Sequence, residues 1–365
     1  MRLFLQWALL CLSAFAVLTA VRFPLRNKFK KTVSKLALDA AELVIATVFA
    51  VIVMAGPVFF RPLQPLMFAL YAVLFADGVA ALVYTVFCSV AKKEQRFAVA
   101  EILSAVFCIL FIVYGTVNMQ LINVKYHTYK SKKISSEHTF VYLADLHTGS
   151  AQNFSTAKKA VDEIKSSSAE FIVLCGDITD DYTTKDEMLN TFALFKDFGK
   201  PVYYVYGNHD RQGYAEYAHG RQYTPEELEN AIISNGITIL KDEFARINSE
   251  IIILGREDYS EKEGRADIAG LTNPDPSSYL IVADHQPNGF KEHASFGADL
   301  QISGHTHAGQ LFPLGLFYSI AAPVYGDYEE QGAVMNITSG ACGWRMPFRT
   351  SAHCNYEVIT LQPVE

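Results

Sequence analysis

No histidine occurs in the first 126 of the 365 residues; all ten lie from His127 onward. Imidazole acid–base or metal chemistry is thereby excluded from the first third and confined to the rest. Cysteine is scarce, six residues with no C-x-x-C pair, so a structural zinc of that kind is not expected. Cys11, Cys88 and Cys108 fall in apolar runs, Cys175 ends a buried strand pattern, and Cys342 and Cys354 can bridge in an oxidising compartment. Charge is the third deficit, and it is local. Runs 3–21, 40–60, 62–91 and 98–124 hold no charged residue except Glu42, Asp77 and Glu101. A bilayer core needs about 20 apolar residues per helix, so residues 1–124 read as a transmembrane region of about four helices. The first run, behind Arg2 and with Ala14 and Ala16 as small residues, also fits a signal peptide; three further runs favour a span.

The two parts differ in charge. Residues 1–124 hold 11 Lys/Arg against 5 Asp/Glu, and residues 125–365 hold 20 against 33. The acidic remainder argues against nucleic-acid binding by bulk charge. Positive charge is densest between the first two runs, at Arg22, Arg26, Lys28, Lys30, Lys31 and Lys35, and recurs at Lys92, Lys93 and Arg96. These links are expected to be cytoplasmic, which places the large C-terminal domain on the exoplasmic side. Among the carboxylates, Asp39, Glu42 and Glu101 can reach the interface; Asp77 alone looks deep, a candidate for a proton or substrate role.

From residue 125 the pattern changes. A polar linker, 125–138, is expected to lead into a domain at 139–365. There 139–143, 171–175 and 201–206 read as buried strands. Helices are expected between them, one capped at Asn153 or Ser155 with the stripe Ala157, Ala160, Val161 and Ile164, another over 186–198. Thr224-Pro225-Glu226-Glu227 combines a capping box with proline at the first helical position, and Gly236 closes that helix. Beyond it the runs 237–240, 251–255, 279–284, 299–303, 334–338 and 356–361 are mostly strands. Strand, helix, strand, helix and then a strand-rich half predict an α/β fold of two mixed sheets with helices outside.

The residues that carry chemistry sit just past those strands. They are Asp145 and His147 in ADLHTG, Asp177 in CGDITDD, Asn208, His209 and Asp210 in YGNHDRQ, His285 in ADHQP, and His305 and His307 in SGHTHAGQ. One Asp, Asn or His after a strand is commonly a turn residue. Five such places with one chemistry point instead to ligands delivered to one sheet edge. Mixed nitrogen and oxygen donors suit manganese, iron or zinc better than calcium or magnesium.

This ordered series resembles the signature of the calcineurin-like metallophosphoesterase superfamily over about 140–361. The ADHQP, GHTHAGQLFP and ITSGACGWRMPFR segments look like its membrane-associated, YkuE-like branch. The resemblance implies an αββα sandwich and a centre of two divalent metal ions. It places Asp145, His147 and His307 on one ion and Asn208, His285 and His305 on the other, with Asp177 bridging. Paired cations would lower the pKa of a shared water and polarise a phosphoryl oxygen. By the same resemblance His209 faces the phosphate, and Asp210 can orient its ring. Arg256 and Arg345 are candidates for substrate binding, with Trp344 and Arg349 nearby in the sequence or in type. Thr148 and Ala308 depart from the usual pattern of the branch, the second where a glycine is common, without removing a ligand.

Together with the apolar runs, the resemblance implies a membrane-anchored phosphoesterase hydrolysing a phosphodiester, phosphomonoester or pyrophosphate bond. Its substrate is a phosphoester, with a lipid or lipid-linked one suggested by the anchor. The alternative is a membrane sensor or scaffold that binds ligand without turnover.

Overall fold

The computed structural model describes residues 2–28, 32–55, 63–149, 151–215 and 220–364. The chain divides into two compact units, Met1–Val117 and Asn118–Glu365.

The first unit is helical: α1 (Arg2–Lys28), α2 (Thr32–Ala55), α3 (Gln64–Val90) and α4 (Phe97–Gln120). Among the described residues three helices are long and apolar enough to cross a membrane, at Ser34–Val53, Gln64–Val90 and Phe97–Gln120. The apolar stretch of α1, Leu9–Val21, is shorter. At 1.5 Å per residue it extends about 20 Å, against a hydrocarbon core of about 30 Å. Three spans, rather than the expected four, are therefore what the described residues support. The end of the expected span 40–60, residues 56–60, lies outside the described residues. Asp39 is buried, and Thr85 Oγ1 donates to its carboxylate at 2.8 Å. Asp77 is fully buried.

Residues 122–131 correct the sequence reading. They were expected to end a span and begin a linker, and instead they form strand β1 (Ile122–Ser131), one residue after α4. β1 runs parallel to β12 (Cys354–Pro363), from Ile122 opposite Cys354 to Ser131 opposite Pro363. Interspersed Lys125 and Lys130 hide the strand in a hydropathy pattern, and the partner lies some 230 positions away.

Two six-stranded sheets build the second unit. The first, in the order β1, β12, β2 (His138–Leu143), β3 (Phe171–Cys175), β4 (Val202–Val205), β5 (Ile237–Ile239), is parallel apart from the β12–β2 pair. The second runs β10 (Gly326–Glu330), β11 (Ala333–Ile337), β9 (Leu300–Ser303), β8 (Tyr279–Ala283), β7 (Ile251–Gly255), β6 (Glu243–Arg246), with antiparallel edges around a parallel centre. β6 and β10 were not legible in the sequence. Both are edge strands rich in charge, Glu243 and Arg246 in one and Asp327, Glu329 and Glu330 in the other.

Side-chain alternation assembles the layers. Phe140, Tyr142, Phe171, Val173, Ile253, Ile281 and Ile302 meet between the sheets. Val141, Leu143, Ile172 and Leu174 face the other way, onto α5 (Phe154–Ser166), α6 (Lys185–Ala193) and α7 (Pro225–Ser234). Asn153 caps α5, and capping boxes at Thr184 and Thr224 open α6 and α7. On the outer face of the second sheet Ile252, Leu254, Leu280 and Val282 pack with Ile268, Ala298 and Phe296 of α8 (Phe290–Phe296). The carboxyl ends of β2, β3, β4, β8 and β9 thus converge on one edge, where open sheets place their ligands.

Candidate metal centre

The loops leaving these strands are short and strained. Asp145 (φ 55°), His147 (43°), Asp177 (51°), His305 (70°) and His307 (49°) all hold left-handed backbone. That conformation costs a non-glycine residue about 1–3 kcal/mol and collects at functional sites. Glycines supply the room. A Cβ on Gly207 would lie 2.3 Å from Asp177 Oδ1, and one on Gly304 2.4 Å from Asp145 Oδ2. Ala308, where the branch commonly carries glycine, adopts φ 49° as an alanine.

Two groups of donors result. Asp145, His147 and His307 offer atoms within 4.8 Å of one another, and so do Asp177, His285 and His305. Asp177 Oδ2 lies 3.0 Å from His285 Nε2 and 3.7 Å from His147 Nε2, so one carboxylate reaches both groups. His307 Nε2 stands 3.7 Å from Asp145 Oδ1. The rings are aimed from behind: His285 Nδ1 is 2.8 Å from the Cys175 carbonyl and His307 Nδ1 3.1 Å from the Cys342 carbonyl. Donation there leaves each Nε2 as an acceptor facing the centre. His147 Nδ1 lies 2.9 Å from Asp180 Oδ2.

Two buried atoms in this cluster lack a hydrogen-bond partner among the described residues: His147 Nε2 and Asn208 Oδ1. Leaving such groups unpaired costs about 1–3 kcal/mol each, which a cation would offset. The charge balance makes the same point. Burial works against a charged ring at His147 and His285, yet the neighbouring carboxylates raise both pKa values. Burial raises Asp145 to about 6, while Asp177 sits well below the ordinary range because His285, His209 and His147 surround it. His305 and His307 are pushed down by burial and by neighbouring imidazoles, His305 to about 4. The two groups of imidazole and carboxylate donors fit two divalent ions.

His209 stands beside both groups, its ring 5.5 Å from that of His147. Its Nδ1 lies 2.6 Å from Asp181 Oδ2, and its backbone N–H donates to Asp177 Oδ1 at 2.8 Å. Burial opposes a charged ring, but Asp177 and Asp181 outweigh it and raise the pKa to about 10.

Asp210 is not the orienting group for His209. Its carboxylate turns back into the loops and accepts from the backbone N–H groups of Asp177 (2.8 Å), Thr179 (2.9 Å) and Gly207 (2.7 Å). Asp210→Ala would strand three buried donors at about 1–3 kcal/mol each. We expect a lowered thermal midpoint; an unchanged midpoint by calorimetry would refute this role. The orienting carboxylates are Asp181 and Asp180, which the sequence reading missed. The run Thr179-Asp180-Asp181, directly after Gly176-Asp177-Ile178, was the available signal.

The arginines also separate. Arg256 is buried, 2.8 Å from Asp242 and bonded to the Ala266 carbonyl, so it locks loops rather than meeting substrate as expected. Arg345, in left-handed backbone (φ 68°), stacks on Tyr182 at 5.0 Å, and Trp344 lies 6.0 Å from the His209 ring. Arg349 is fully buried and donates to the carbonyls of His307, Ser339, Cys342 and Ala352, which fixes the loop behind His307. Cys342 and Cys354 are buried free thiols beside Met119.

Comparison with known proteins gives this geometry a family. The profile of the calcineurin-like phosphoesterases matches residues 138–309. This region is a calcineurin-like phosphoesterase domain. The chain is 29% identical over 242 residues to a metallophosphoesterase of Helicobacter pylori, covering 63% of this chain and 61% of that protein. A transmembrane protein with metallophosphoesterase domain from Danio rerio is 25% identical over 288 residues, 72% of this chain and 62% of that one. Metallophosphoesterase YkuE of Bacillus subtilis is 25% identical over 260 residues, 66% of this chain and 86% of that one. The chain thus spans about three-fifths of the length of the Helicobacter relative. The profile ends at Gly309, so Arg349, which donates to the His307 carbonyl, lies beyond it.

Proposed function

We propose that this chain is a membrane-anchored, metal-dependent phosphoesterase that cleaves a phosphodiester, phosphomonoester or pyrophosphate bond in a lipid or lipid-linked substrate. The observation that carries this reading is the convergence of two three-residue donor groups on a shared Asp177, with a carboxylate-held His209 beside them. In the proposal Asp145, His147 and His307 hold one divalent ion, Asn208, His285 and His305 the other, and Asp177 both. When bound, such ions supply the positive charge that activates water and withdraws electrons from the phosphoryl group.

The chain's own residues do the remaining work. The hydrogen bonds from His285 to Cys175 and from His307 to Cys342 keep the donor atoms in place, so little reorganisation accompanies the reaction. His209 presents Nε2 to the leaving oxygen while Asp181 holds Nδ1, so the proton passes from Nε2 as the ester bond breaks. The mixed imidazole, amide and carboxylate donors favour manganese, iron or zinc. Basic residues before α2 and between α3 and α4 favour a cytoplasmic place for those links and hence an exoplasmic domain.

The test uses the full chain in detergent with bis-p-nitrophenyl phosphate and p-nitrophenyl phosphate, with manganese and with chelator. Manganese-dependent, chelator-sensitive turnover is expected, and the ratio of diester to monoester rates narrows the substrate class. Ligand binding without turnover in the metal-loaded protein would replace this reading with a binding module.

A further inference from the structure

Between His307 and Asp327 the chain runs through nineteen residues without a single Asp, Glu, Lys or Arg, in a domain that is otherwise acidic. This segment leaves the metal centre directly, since His307 begins it. Leu311 and Leu314 are fully buried and root it. α9 (Leu314–Tyr318) and the residues after it then point outward: Leu316 is 61% exposed, Phe317 50% and Ile320 83%, with Phe312 at 44% and Ala321 and Ala322 exposed as well. Both ends are pinned. Thr306 Oγ1 donates to the Val324 carbonyl at 2.5 Å, Phe312 N–H to Thr350 Oγ1 at 3.0 Å, and Val324 N–H to Tyr328 Oη at 3.0 Å.

Single exposed apolar side chains are ordinary, and elsewhere among the described residues of this unit they stand singly or in twos, such as Tyr126, Phe154 and the pair Leu189 and Ile233, which line one surface pocket. Four within nine residues on one rooted lobe form a patch that a soluble surface would not keep without a use. We propose that residues 312–322 are a lobe that enters a lipid bilayer and seats the active-site edge of the domain on the membrane surface. The proposal rests on the membrane part of the function proposed above.

A lipid surface is the occupant favoured by three facts. The same chain carries three helices able to cross a membrane, and a single residue, Leu121, separates α4 from β1. The lobe also has the composition of an interfacial segment: aliphatic and Phe side chains at its tip, Tyr318 and Tyr325 at its flanks, and Lys125 Nζ 4.4 Å over the Tyr325 ring at its root. A lobe seated this way places His307 and its partners within one short segment of the headgroups, where a lipid phosphoester would be met.

The experiment places an environment-sensitive fluorophore at Ile320→Cys in the full chain, reconstituted in vesicles of phosphatidylcholine and phosphatidylglycerol. Lys159→Cys on α5 is the water-exposed control, its side chain being 79% exposed. The six native cysteines are buried, which directs the label to the new thiol. The label at Ile320 is expected to emit to the blue of the control and to be quenched by lipids with doxyl-labelled chains, while the control is unaffected. A second variant, Ile320→Cys with Phe317→Asp, should lose both effects. A blue shift without lipid quenching would mean that a protein surface, such as a second copy, covers the lobe, and would overturn the proposal. Water-like emission at Ile320 would overturn it as well. Neither readout requires turnover, so a lobe in lipid on an inactive protein would refute only the phosphoesterase reading, and an active protein with its lobe in water only this one.

Discussion

Asp177→Ala is expected to leave the chain folded but to remove both its full metal complement and its turnover. Asp177 reaches both donor groups, 3.0 Å from His285 Nε2 and 3.7 Å from His147 Nε2, closer to the second group than Asp145 comes at 4.0 Å from His285 Nε2. Its Oδ1 also accepts the backbone N–H of His209. Truncation therefore removes the negative charge that the surrounding imidazoles compensate, the shared ligand and one loop contact together. Loss of one aligned charge-stabilising group in an active site costs about 10²–10³ in kcat; loss of a ligand common to two ions should cost at least that. The check is metal stoichiometry by elemental analysis beside the diester assay. A variant that keeps two ions per chain and a rate within tenfold of the parent would show that Asp177 does not bridge.

His209→Ala should separate chemistry from metal binding. His209 belongs to neither donor group, so the variant is expected to retain its ions while kcat falls by about 10²–10⁴, the usual range for a general acid. The leaving group supplies a sharper readout. Nitrophenolate departs without a proton, whereas an alkoxide requires one, so the loss should be larger with a glycerophosphodiester than with bis-p-nitrophenyl phosphate. Asp181→Asn keeps the shape of the pair but weakens the hold on Nδ1, and a loss of about 10–100-fold is expected, as for other outer partners of site histidines. Equal losses for both leaving groups would assign His209 to phosphate binding. Loss of metal from His209→Ala would make it a ligand.

Asp177 and His209 were visible as residues because each follows an apolar run of strand length, and side-chain alternation of period two shows through local sequence. The same holds for the caps at Asn153 and Thr224, whose partners lie within three positions. Asp181 was visible only as one of two adjacent acids. What selects it is the left-handed turn at Asp177, which brings the loop after β3 back under the loop after β4. Asp210 illustrates the converse, since adjacency to His209 suggested a partnership that the backbone direction denies it.

Sequence alone therefore determined the chemistry and its order: an apolar helical first third, an acidic α/β remainder, and donors placed after particular strands. These are encoded in composition and in periodicities of a few residues. Tertiary structure decided what depends on residues far apart in the chain. It joined β1 to β12 in place of a linker, gave Arg256 to Asp242 and Arg349 to the carbonyls behind His307, and set Asp180 and Asp181 behind their histidines. Such pairings are fixed by strand register and by the strained turns at the sheet edge, where the direction of each loop, rather than the identity of its residues, determines which groups meet.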